Sequence, residues 1–156
     1  MPTPRIKAAD LRRAPSVGAI LVTVAGRHAP VSRARVARVV RGVLAAERAR
    51  ASVSVTFVGT RRIRQLNAAW KRLDRSTDVL AFALPMPDGG LEGDVYICRA
   101  VAAGEAKKLG IPLGEELLRL VIHGTLHVLG YDHPEDAGRV RSSMWRRQEG
   151  YLACLG

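Results

Sequence analysis

Three of the chain's four histidines fall within eleven residues, "HGTLHVLGYDH" at 123–133, in the pattern H-x3-H-x5-H. A single histidine in an apolar segment ordinarily satisfies its nitrogens on backbone carbonyls and implies no chemistry. Three at this spacing do. His123 and His127 stand four apart, so on a helix their rings leave the same face one turn apart. Two imidazoles so related can reach one metal ion, at nitrogen–zinc distances of about 2.0–2.1 Å. Gly130 can turn the chain and bring His133 back as a third ligand. Zinc is the expected ion, one per chain, because imidazole suits it and no thiolate is nearby.

Three protein ligands leave a fourth position for water, which is how catalytic zinc sites differ from closed structural ones. Zinc would lower the pKa of that water to about 7 and so provide hydroxide at neutral pH. Asp132, beside the third histidine, is expected either to close the site or to orient a histidine from behind. The pattern also excludes something. Zincin proteases read H-E-x-x-H, with the glutamate as base, and here that position is Gly124. A peptidase of the usual kind would lack its base.

The elements that must position these residues can be read from periodicity. Around the first two histidines the sequence is apolar nearly all round (Leu117, Leu118, Leu120, Val121, Ile122, Leu126), which predicts a buried helix from Pro112 to Leu129 that Gly130 ends. Upstream, residues 19–24, "SVSVTFVG" (52–59), 78–85 and 93–99 read as strands, the last two separated by the turn-rich "PMPDGG". Ser32 caps a helix to about Arg48, with valines on one side and Arg38, Arg41 and Arg48 on the other, a solvated face in the simplest reading. A short helix begins at Thr60, helical pattern occupies 100–109, and Pro134 is expected to start a final helix over "PEDAGRVRSSMWRRQEG", with Trp145 in the core. Residues 1–16 read as a loose extension and 17–156 as a single domain. The fold class is α/β: a roughly four-stranded, mostly parallel sheet with helices packed around it and the zinc site at the end of a buried central helix.

Composition narrows the partners. The chain of 156 residues carries 25 basic and 14 acidic residues, a net charge of +11, and such a field favours polyanions. Bias toward arginine codons would produce the same excess without a nucleic-acid partner. Cys98 and Cys154 form no C-x-x-C pair, which suits a reducing compartment. "VGAILVTVAG" (17–26) follows basic residues, but it is β-branched and too short to span a bilayer, so a strand is expected and no membrane association.

The histidine segment resembles the signature H-G-x-L-H-L-x-G-Y-D-H of the YbeY family of bacterial and organellar endoribonucleases, also called rRNA maturation factors. The resemblance continues in "LNAAWKRLDRSTDVLAF" (66–82) and "LEGDVYICR" (91–99), and together these blocks span most of residues 55 to 135. It implies a compact α/β fold with zinc on His123, His127 and His133, and metal-dependent cleavage of single-stranded RNA. It further implies maturation of the small-subunit (16S) rRNA 3′ end and ribosome quality control in the cytoplasm, with the small ribosomal subunit and assembly factors as partners. Where the family has tyrosine-arginine this chain has Trp70-Lys71, the following lysine is Leu73, and Ala81 replaces the serine of "VLSF". Lys71 is thus the catalytic candidate that replaces the family's arginine. It keeps the charge and loses the planar fork that grips phosphate at two points. Arg72 and Arg75 are the neighbouring RNA-binding candidates. The alternative from another class is a ribosome-assembly or RNA-binding factor whose metal is mainly structural; a hydrolase of some other substrate is a third.

Overall fold

Alternation in the strand segments and a 3.6-residue period in the rest resolve, in a computed structural model describing residues 21–28 and 30–156, into one mixed layered structure. The order is β1 (Val22–Gly26), α1 (Arg33–Ala46), β2 (Ala51–Val58), α2 (Thr60–Lys71), β3 (Val79–Pro85), β4 (Leu91–Cys98), α3 (Arg99–Leu109), α4 (Leu113–Val128) and α5 (Ser143–Leu155). The four strands lie in the order β1-β2-β4-β3. β1, β2 and β4 are parallel, and β3 runs antiparallel to β4 on the outer edge. The expected fold class is borne out: a single α/β domain with a mostly parallel four-stranded sheet. The proposed extension 1–16 and the first two residues of the strand expected at 19–24 lie outside the described residues.

The two faces of the sheet are covered unequally. On one, α4 brings Leu117, Val121 and Ile122 against Val55, Val95 and Ile97, with α1 and α5 completing the main core. On the other, α2 lays Ile63 and Leu66 on Leu80 and Cys98. The edge strand β3 is therefore approached from both sides, by α4 across one face and by the end of α2 around the other.

The helices start and stop for local reasons. Ser32 caps α1 as expected, its Oγ accepting from the Arg35 amide at 3.1 Å. α4 ends in a Schellman arrangement: Tyr131 N–H donates to the Leu126 carbonyl and Gly130 N–H to that of His127, with Gly130 at a φ of 91°. The final helix is a correction. It does not begin at Pro134; residues 135–138 form bends and turns, a single 3-10 turn occupies Arg139–Arg141, and α5 begins at Ser143. Asp136 Oδ1 takes the Gly138 amide at 2.7 Å, and Ser142 Oγ takes the Trp145 amide at 3.1 Å, so the side-chain cap belongs to Ser142. Trp145 is partly exposed there, not a core residue.

Candidate metal centre

α4 is buried almost throughout, and its last two turns carry His123 and His127 on the side facing β3. The helix comes this close because position 124 has no side chain. A Cβ on Gly124 would lie 2.4 Å from Val95 Cγ1. The residue that stands where a protease keeps its base is thus the point at which the helix meets the sheet. After the Gly130 turn the chain doubles back and His133 faces the other two rings.

The three Nε2 atoms converge. His123 Nε2 lies 3.0 Å from that of His127 and 3.3 Å from that of His133. Two nitrogens bound tetrahedrally to one zinc at about 2.0–2.1 Å would be roughly 3.3–3.4 Å apart. The opposite side of each ring decides which nitrogen holds the proton. His123 Nδ1 donates to Gln148 Oε1 at 2.7 Å, and His133 Nδ1 donates to the Pro134 carbonyl at 2.9 Å. The Tyr131 backbone is in range to accept from the His127 ring. Gln148 cannot reverse this cheaply, because its own Nε2 donates to Glu149 Oε1 at 3.0 Å, and Glu149 is held by Arg119 at 2.8 Å. The inward nitrogens are therefore bare lone pairs, and lone pairs this close repel unless a cation lies between them. The donor set fits a metal ion, and these three residues are the group that could hold one.

The electrostatics point the same way. Burial pushes His123 down to about 3; its bond to Gln148 opposes this, while His127, Arg139 and His133 reinforce it. His127 is also held below its usual value, first by burial and then by the charge of His133, with Lys71 adding to the effect. Neutral rings are the form that ligates metal.

The histidines floor an open polar pocket of about 270 Å³ that Lys71 and Arg139 also line, together with Asp78, Asp132 and Glu135. Lys71, the last residue of α2, reaches it around the edge of β3. Arg72 and Arg75 do not line it. Arg72 ends α2 in a left-handed conformation (φ 57°), and Arg75 gives its carbonyl to the buried Asn67 Nδ2 at 2.9 Å. Asp132 Oδ1 accepts from the His133 amide at 2.8 Å, so its hydrogen bond fixes the backbone of the third histidine, while the ring is held by Pro134. His28 lies outside the cluster, half-buried in its loop, with Nδ1 on the Val31 carbonyl at 2.7 Å.

Three contributors were missed from the sequence. Gln148 lies on α5, 25 residues from the ring it holds, and no local pattern ties the two together. Arg139 falls in a segment read as helix. Asn67 is a buried polar residue on α2 that pins the following loop, a role hinted at only by its place amid apolar residues.

A profile of the family described as endoribonuclease YbeY matches residues 23–156. Among curated relatives, endoribonuclease YbeY of Anaeromyxobacter sp. (strain Fw109-5) is 46% identical over 110 residues, covering 68% of this chain and 55% of that one, so the match spans little more than half of the relative's length. The enzyme of the same name from Moorella thermoacetica is 41% identical over 132 residues, 76% of this chain and 83% of that one. The solution structure of TM1509 from Thermotoga maritima superposes with a TM-score of 0.58 at 27% identity, covering 86% of this chain and 89% of that one. With a family match that takes in all the elements around the histidine cluster, the chain belongs to the endoribonuclease YbeY family.

Proposed function

We propose that this protein is a zinc-dependent, single-strand-specific endoribonuclease that acts in the cytoplasm on the 3′ end of small-subunit (16S) rRNA and in ribosome quality control. Its partners in this reading are single-stranded RNA, the small ribosomal subunit and assembly factors. The observation that carries the metal-dependent chemistry is the inward convergence of three Nε2 lone pairs at the floor of an open pocket. The relatives' shared name supports the substrate class. Among the described residues no helix is long and apolar enough to cross a membrane.

His123, His127 and His133 would hold the ion, and zinc bound there supplies Lewis acidity and an acidified water. The chain's own residues do the rest. Gln148 Oε1 and the Pro134 carbonyl keep the Nδ1 protons in place, so the ligating faces stay unprotonated. Lys71 presents an ammonium to the same pocket and neutralises charge on a phosphodiester there. A pocket of about 270 Å³ takes one linkage of a strand whose bases are free to splay, as in single-stranded RNA. Three ligands with an open side favour a catalytic over a structural ion, since structural zinc is closed by four.

The test combines metal analysis with cleavage of a single-stranded RNA oligomer by highly purified protein. Expected are about one zinc per chain in the parent, loss of that zinc in the His123→Ala, His127→Ala double variant, and retention in His28→Ala. Cleavage should fall by at least about a hundredfold in His127→Ala, on the scale seen when an enzyme loses a principal electrostatic group. Equal cleavage by parent and His127→Ala would assign the activity to a contaminant and favour the assembly-factor alternative. Full zinc in the double variant would refute the ligand set.

A further inference from the structure

Among the described residues, one buried side-chain nitrogen has no hydrogen-bond partner: Nε of Arg139. Buried donors are almost always satisfied, and an orphan on a charged group costs more than one on a neutral group. Nor is Arg139 paired with a carboxylate, although Asp132 and Glu135 line the same pocket. Its guanidinium carbon sits 5.9 Å from the Trp145 ring centroid, which supports the plane of the group without using its donors. Its backbone is fixed too, with N–H donating to the Asp136 carbonyl at 3.0 Å. A cation with an unspent donor that lines a polar pocket suits an anionic ligand.

Its place in the pocket indicates which anion. Arg139 and Lys71 both line the pocket that His123, His127 and His133 floor. The two cations therefore flank the histidine cluster from different elements, Lys71 from the end of α2 and Arg139 from the turn six residues beyond His133. A phosphodiester has one negative charge shared by two non-bridging oxygens, and a guanidinium fork matches that pair, whereas an ammonium offers a point charge.

We infer that Arg139 binds the non-bridging oxygens of the phosphodiester lodged at the histidine cluster, supplying from the C-terminal side the forked contact that Lys71 lacks. This deepens the endoribonuclease proposal and rests on it for the identity of the polymer, though the phosphate contact itself can be measured without cleavage.

Two probes test it: inorganic phosphate, titrated into zinc-loaded protein by calorimetry, and a single-stranded RNA oligomer, titrated across a salt series into His127→Ala backgrounds that cannot cut it. Arg139→Gln should keep zinc content and unfolding midpoint close to the parent's while weakening phosphate binding by about tenfold or more, as expected for loss of a charge-assisted contact. For the oligomer, the slope of log affinity against log salt should become shallower by about 0.7, the value of one single-strand phosphate contact. Arg139→Lys, which keeps the charge and a cation over Trp145, should restore the salt slope and only part of the phosphate affinity. Unchanged phosphate affinity and salt slope in Arg139→Gln would overturn the inference. So would loss of zinc in step with loss of binding, because Arg139 would then act through the metal site. Should the parent hold phosphate through Arg139 yet leave RNA intact, the nuclease proposal fails and the phosphate site stands. Should Arg139→Gln cut RNA at the parental rate with phosphate affinity unchanged, the Arg139 contact alone is refuted.

Discussion

An imidazole can offer a metal only the nitrogen that carries no proton, so the hydrogen bond at the other nitrogen decides whether a histidine is ready to ligate. For His123 that bond is to Gln148, fully buried on α5 and itself oriented by Glu149 and Arg119. Gln148→Leu should therefore leave His123 free to change tautomer and should weaken zinc binding by about 10–100-fold, the usual cost of losing such a support. Competition against a chelating indicator measures this, and Gln148→Glu, which keeps an acceptor at the same place, should recover most of the loss. Equal affinity in parent and Gln148→Leu would show that packing alone orients the ring. The sequence exposed the three histidines and hid the support for one reason. His123 and His127 are related by the period of a single helix, and His133 by a glycine turn, whereas Gln148 meets His123 only after α4 and α5 pack together. Arg139 was hidden in the same way, since its role depends on a turn between helices that the pattern at 134–142 did not reveal.

At the scale of elements, the site exists because a helix is allowed to lie unusually close to a strand. Val79 and Val95 come within 3.4 Å and 2.4 Å of where a Cβ on residue 124 would stand. Gly124→Ala should therefore destabilise the fold by about 1–3 kcal/mol through overpacking, although alanine is the better helix former by about 1 kcal/mol. α4 would also have to move away from β4, carrying His123 and His127 with it, so zinc affinity should fall together with the unfolding midpoint. Adding Val95→Ala makes room and should return part of both; the non-additivity of the pair, measured by denaturant unfolding, is the diagnostic. If Gly124→Ala proves neutral in both, α4 does not need this approach to the sheet. Sequence had identified Gly124 only as the lack of a protease base, because a close approach between elements leaves no trace in local periodicity. What periodicity did carry was element type: strands and helices before residue 130 fall close to where alternation and the 3.6 period place them. It failed after Pro134, where proline followed by acidic residues looks like a helix start but Asp136 spends its carboxylate on a turn, and Ser142 holds the cap.

Across the whole molecule, α5 must be anchored for Gln148 and Trp145 to support the pocket, and the anchor is a partly buried carboxylate just beyond α1. Glu47, just beyond α1, accepts from the Tyr151 hydroxyl, from the Tyr131 hydroxyl at 2.7 Å, and from Arg147 at 2.8 Å, while Arg147 lies over the Tyr131 ring at 5.1 Å. These contacts join α1, the loop before His133, and α5, three parts of the chain separated by up to 104 positions. Burial first, and then the bond to Glu47, hold the Tyr151 phenol well above its ordinary range. An unfolded chain releases that proton near pH ~10, while the folded chain keeps it to higher pH. Above about pH 10 the folded state thus binds more protons than the unfolded one, and stability must fall as pH rises; below about pH 10 the contribution is complete. Tyr151→Phe removes both the bond and the titration. At about pH 8 it should be less stable by roughly 1.5–3 kcal/mol, the worth of a hydrogen bond to a charged group. Toward about pH 11 the gap should narrow, since the parent alone loses this contribution. Urea unfolding of the two proteins across that range provides the comparison, with zinc held constant so that ligand binding does not shift the midpoints. A gap that stays the same from about pH 8 to about pH 11 would mean that Tyr151 gives up its proton equally easily folded and unfolded, and that Glu47 does not tie α5 to α1 through this hydroxyl.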